Sequence, residues 1–60
     1  MEHFYIIIMQ NNKPFTHING KIKLYPTKQS AKISFLPTDK DIITLGEYAK
    51  SINKNYKSLI

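Results

Sequence analysis

One stretch constrains this chain more than any other: Phe4-Tyr5-Ile6-Ile7-Ile8-Met9, six consecutive apolar residues rich in β-branched and aromatic types. That composition favours a strand. A strand with one wet face would alternate apolar and polar residues. This one is apolar on both parities, with Tyr5, Ile7 and Met9 on one face and Phe4, Ile6 and Ile8 on the other. Both faces therefore need a cover, from helices or from a second copy of the protein.

The remaining material is limited. Sixty residues allow one domain. A chain of this size buries only about 60% of the surface its unfolded form exposes. Its core supplies about 3–5 kcal/mol when neither a disulfide nor a metal helps. Cysteine is absent, which excludes a disulfide scaffold and thiolate metal sites and agrees with a reducing, cytoplasmic setting. The longest apolar run falls far short of the roughly 20 residues of a membrane span, and no signal-peptide pattern opens the chain.

The segment after the first run is read as a hairpin. Asn11-Asn12-Lys13-Pro14 is turn material, and Asn19-Gly20 between Phe15–Ile18 and Lys21–Tyr25 matches the preferred type I′ pair. That turn sets Ile18 opposite Lys21, His17 opposite Ile22, Thr16 opposite Lys23 and Phe15 opposite Leu24. Phe15, His17, Ile22 and Leu24 then share an apolar face, with His17 packed and hydrogen-bonded there. Thr16, Ile18, Lys21 and Lys23 form the polar face.

Thr27 is placed to N-cap a short helix over residues 28–36, with Ala31 and Phe35 inward and Pro37 as its stop. Ala31, Ile33 and Phe35 also alternate, so a strand is the rival reading. Ile42-Ile43 is a short strand or a buried linker. Thr44-Leu45-Gly46-Glu47 reads as a capping box. The helix it opens runs over about 45–60, with Leu45, Tyr48, Ala49, Ile52, Tyr56, Leu59 and Ile60 in an arc of about 120°. Asn53 and Asn55 are the places where it would break. The predicted fold is α+β in a single domain: a three-stranded antiparallel meander (about 3–10, 14–18 and 21–25), a short helix and an amphipathic C-terminal helix. The doubly apolar first strand implies a symmetric homodimer or a hetero-interface.

The formal net charge is +5, and every basic residue is Lys. Lysine is a hydrated point charge without the planar fork that reads guanine and grips phosphate in two places. On a continuous helix Lys50, Lys54 and Lys57 occupy an arc of about 60° opposite the apolar stripe. Such a ridge can follow a phosphate backbone or an acidic protein face, and Lys21 and Lys23 can extend it. A solvated helix face is the competing explanation. His3 and His17 show no ligand spacing with Glu47, Asp39 or Asp41. Gly20 and Gly46 form no phosphate loop. No catalytic, cofactor or metal constellation is legible, and the expected activity is non-enzymatic.

Tyr5-Ile6-Ile7-Ile8, Asn19-Gly20-Lys21, Leu24-Tyr25-Pro26-Thr27-Lys28 and Ala31-Lys32 resemble small uncharacterised proteins of phages and prophages of low-GC bacteria. The resemblance covers roughly the first half of the chain. It implies an accessory protein of a mobile element that binds a host protein or a defence system. Thr44 through Lys54 is similar to the first helix and turn of excisionase-type helix-turn-helix modules, although Lys54 stands where those carry an apolar residue. Two functions follow as expectations: a protein-binding module directed at a host protein, and a non-specific nucleic-acid binder using the lysine ridge.

Overall fold

The computed structural model of the protein describes the backbone of residues 1–35 and 38–60 and the side chains of all of these but Phe35 and Asp39. Its elements are β1 (Tyr5–Ile7), α1 (Lys28–Phe35), β2 (Ile42–Thr44) and α2 (Leu45–Ser51), with short 3₁₀ segments at Asp39–Asp41 and Tyr56–Leu59. The fold is α+β, but its sheet is not a three-stranded meander. It has two antiparallel strands, β1 and β2, with Ile6 paired to Ile43.

The apolar run sits at the centre. Ile6 and Ile7, neighbours on opposite faces, are both enclosed, at 0% and 1% exposure. On the Ile7 face, Tyr25, Ala31 and Ile42 form a buried cluster, with Tyr5, Met9 and Phe15 against it. α1 lies against both strands, and α2 against β2. The expected cover is therefore supplied within one chain, and the need for a second copy over this strand disappears.

β1 is hydrogen-bonded along both edges. On the β2 side the ladder extends past the strand ends: the Ile8 N–H donates to the Asp41 carbonyl, and the Leu45 N–H to that of Phe4. On the other side Tyr5 exchanges two bonds with Tyr25, the Phe15 N–H donates to the Ile7 carbonyl, and the Met9 N–H to that of Lys13. Residues 14–18 and 21–25 thus make only single bridges, Ile8 to Pro14, Thr16 to Ile22 and Tyr5 to Tyr25. Both segments meet the same edge of a short strand, so neither continues along it as a full neighbour. Pro14 takes a bridge position that asks for no N–H, which fits its missing donor.

The hairpin register is one residue away from expectation. Thr16, not His17, faces Ile22. The Gly20 N–H donates to the His17 carbonyl, the His17 N–H donates to that of Lys21, and within this loop only Gly20 has positive φ, at 87°. This is a three-residue loop closed by a left-handed bulge, the common alternative to the two-residue type I′ turn. A one-residue slip exchanges faces. Lys23 accordingly lies beside Phe15, and His17 is exposed rather than packed. The same turn occurs earlier in the chain. The Asn12 N–H donates to Met9, the Met9 N–H to Lys13, and Asn12 has φ of 64°. In both turns an asparagine side chain, Asn11 or Asn19, accepts from the N–H two residues on.

Residues 28–35 are helical. The Thr27 hydroxyl accepts from the Ser30 N–H at 3.1 Å, and the Ser30 hydroxyl oxygen accepts from the Thr27 N–H at 3.3 Å. This reciprocal cap overrides the alternating pattern. The expected end at Leu36 and Pro37 lies outside the described residues. A bond between the Tyr25 and Ser34 hydroxyls, at 2.7 Å, ties α1 to the sheet edge.

The long C-terminal helix is not formed. The Thr44–Glu47 capping box opens α2 as expected, but the helix stops at Ser51. The Asn53 N–H donates to the Lys50 carbonyl and the Lys54 N–H to that of Ala49, with Asn53 at φ 59°. That is a Schellman ending with asparagine in the left-handed position. Asn55 then caps the Tyr56–Leu59 turn through a bond from the Lys57 N–H. Leu45 and Ala49 of the expected stripe are buried and Tyr48, Tyr56 and Leu59 half-buried, whereas Ile52 and Ile60 are exposed. Among the described residues α2 is followed by the 3₁₀ turn at Tyr56–Leu59, not by the recognition helix of a helix-turn-helix module.

Asn53→Gly is expected to hold or raise stability, while Asn53→Ala, forced into left-handed backbone, lowers it by about 1 kcal/mol in denaturant titrations. Leu45→Ala empties a fully enclosed position at a cost of about 2–5 kcal/mol, enough to unfold a chain of this size. A cooperative transition kept at nearly the wild-type midpoint would show that the core is not seated on Leu45.

Candidate functional site

Two regions hold the residues singled out from the sequence. The first is the α2–3₁₀ junction. The Schellman ending folds the chain back so that Lys50, Asn53, Lys54, Asn55 and Tyr56 line an open cleft, closed on its far side by Glu2, Gly46 and Ala49. Lys57 is not among its lining residues, because the ridge required a helix that continued past Asn53. Two lysines and one glutamate thus line the cleft, and the Glu2 carboxylate lies 3.8 Å from the His3 Nε2.

The start of α2 offers no anion site. Its first free N–H groups are already used. Leu45 donates to Phe4, Gly46 to the Glu2 carbonyl at 2.9 Å, and Glu47 to the Thr44 hydroxyl. A Cβ on Gly46 would meet that Glu2 oxygen at 3.2 Å, so the N-terminal segment is pressed against the helix here.

The second region is the hairpin end. Lys21 and Lys23 do not act alike. Lys23 is half-buried, with its ammonium 5.9 Å from the Phe15 ring centroid and 5.6 Å from that of Tyr25. It is a packing residue engaged by two aromatic faces. Lys21 is exposed at the turn, with His17, Ile18 and Asn19 around it. His17 and Lys21 also border a depression of about 330 Å³ whose other walls are Met1, Ile22, Leu24 and Ile60.

Ile18, Met1 and Ile60 are the functional candidates that sequence reasoning missed. Ile18 is fully solvent-exposed, at 109%, and Met1 and Ile60 are about half exposed. Ile18 was legible as a polar-face residue, and an isoleucine at a turn tip was the available signal. For Ile60 the signal was misleading, since it completes the apolar arc of a helix that does not exist.

Among the described residues no three His, Asp or Glu side chains come together, and no buried side-chain nitrogen or oxygen lacks a partner. Among them, too, no helix is long and apolar enough to cross a membrane. No family model, curated protein or solved structure matches this chain.

Lys23→Ala is expected to lower stability by about 0.5–1 kcal/mol, the loss of an exposed-to-intermediate cation–π contact. Lys21→Ala should stay within about 0.5 kcal/mol of wild type. Equal effects of the two in thermal melts would contradict the division into a packing lysine and a free one.

Proposed function

We propose that this protein is a non-catalytic protein-binding module whose contact surface is the hairpin end. One observation carries the reading. Among the described residues the large apolar side chains left in water are Met1, Ile18, Ile33, Ile52 and Ile60. Three of these, Met1, Ile18 and Ile60, surround two adjoining depressions that share His17 and Lys21. Full burial of one isoleucine side chain is worth about 1.5–3 kcal/mol, which Ile18 forgoes in the free protein and regains on a partner. The turn does not require isoleucine there, since its geometry rests on Asn19 and Gly20.

The resemblance of the first half to small phage and prophage proteins makes the proposed partner a host protein, such as a component of a defence system, in the bacterial cytoplasm. The rival, a nucleic-acid binder, has less support. It keeps Lys50, Lys54 and Tyr56 at one cleft but loses the three-lysine ridge, and Glu2 sits at the same cleft.

The test is capture from bacterial lysate with wild-type protein, Ile18→Asp and the Lys50→Ala/Lys54→Ala double variant, each with and without nuclease. The expected outcome is a protein retained by wild type and by the double lysine variant, lost with Ile18→Asp, and indifferent to nuclease. Retention that vanishes with nuclease, or falls steeply with salt at about 0.9 log units of affinity per phosphate contact per log unit of salt, would replace this reading with the nucleic-acid one.

A further inference from the structure

The depression beside the hairpin has a composition that specifies its occupant further. It is lined by four apolar residues, Met1, Ile22, Leu24 and Ile60, together with His17 and Lys21. Ile18 stands next to His17 and Lys21, with its side chain entirely in water. Among the described residues no Asp or Glu side chain lines either depression. The region thus combines apolar lining residues, a projecting aliphatic residue and a lysine with no acidic side chain beside it among the described residues, in a protein whose formal net charge is +5.

A second copy of the chain fits this surface poorly. A two-fold interface brings the same patch against itself, so two copies of Lys21 would enter one interface with no Asp or Glu side chain among the described lining residues to pair them. The sheet gives no other reason to dimerise, because Ile6 and Ile7 are already enclosed. What complements the patch is a surface of opposite charge that carries its own apolar side chain.

Resting on the protein-binding reading above, we propose that the depression bounded by Met1, Ile22, Leu24 and Ile60 receives a large apolar side chain from an acidic segment of the partner. Carboxylates flanking that side chain meet Lys21 at the rim, and Ile18 packs against the segment from outside. The apolar anchor provides most of the affinity, and the charge provides selectivity and association rate, as in interfaces generally.

The experiment uses the full chain with isoleucine methyl labelling and three short synthetic peptides. The first carries a central Leu-Phe pair between aspartates, the second has alanines in place of the pair, and the third has lysines in place of the aspartates. With the first peptide, methyl shifts are expected at Ile18, Ile22 and Ile60 and not at Ile33 or Ile52. The second and third peptides should bind at least about tenfold more weakly. Lys21→Ala should weaken the first peptide by up to about fivefold, and less so at high salt. Ile18→Asp should abolish the shifts, with amide spectra verifying that the variant remains folded. Equal binding of the lysine peptide, equal binding of the alanine peptide, or shifts confined to Ile33 or Ile52 would each overturn the proposal. So would methyl shifts that depend on protein concentration without peptide, which would identify a second copy as the occupant. If lysate capture depends on Ile18 while the aspartate peptide produces no shifts, the protein-binding reading stands and this inference alone falls. Absence of any Ile18-dependent capture removes the broader reading instead.

Discussion

The backbone of β1 has to be satisfied on both edges, because the side chains at its centre shut out water on both faces. A buried N–H or C=O without a partner costs about as much as a lost hydrogen bond, and often more. With Ile6 and Ile7 enclosed, the strand must be flanked by chain on each side. β2 supplies one flank. Tyr25 and the Lys13–Phe15 stretch divide the other between them. The rest of the architecture follows from holding these three pieces around a short strand. β2 comes from the second half of the sequence, so the core closes only when distant segments meet, and neither half has a complete sheet by itself.

Local chemistry then decides where each element ends. Two turns of the same construction, at Asn11-Asn12 and Asn19-Gly20, bend the chain away from β1 and back toward it. Reciprocal caps start both helices, at Thr27 with Ser30 and at Thr44 with Glu47. The end of α2 matters most for the surface. By taking the left-handed conformation, Asn53 stops the helix after Ser51 and turns the remaining residues back, which leaves Ile60 beside the hairpin rather than further along a helix axis. A backbone choice at one asparagine thereby dismantles a basic ridge and assembles an apolar depression.

The resulting surface is uneven in a way that bears on function. The interior is apolar, and among the described residues every buried side-chain polar atom has a partner. Charge and exposed apolar area are distributed separately. Lys50 and Lys54 face a cleft shared with Glu2, Lys23 is spent on the Phe15 and Tyr25 rings, and Lys21 remains free among Ile18, Met1 and Ile60. At the hairpin end three exposed apolar side chains, Met1, Ile18 and Ile60, gather around the exposed Lys21, and the proposed binding surface rests on that coincidence.

Features governed by neighbours in sequence were legible in advance: a doubly covered strand within the first apolar run, although it spans Tyr5–Ile7 rather than about 3–10, the caps at Thr27 and Thr44, the hairpin around Asn19-Gly20, and the weak point at Asn53. These depend on side-chain periodicity and on hydrogen bonds spanning three or four residues, which residue types alone specify. The pairing partner of β1, the hairpin register, the length of the last helix and the company kept by each lysine were not legible. Asn-Gly suits both a two-residue and a three-residue turn, and the choice between them moved His17 into solvent and Lys23 onto the rings. Ile42-Ile43 contains nothing that names β1 as its partner. Those outcomes were decided by which arrangement lets one short apolar strand satisfy both edges and cover both faces, a condition that exists only once the whole chain has closed around it.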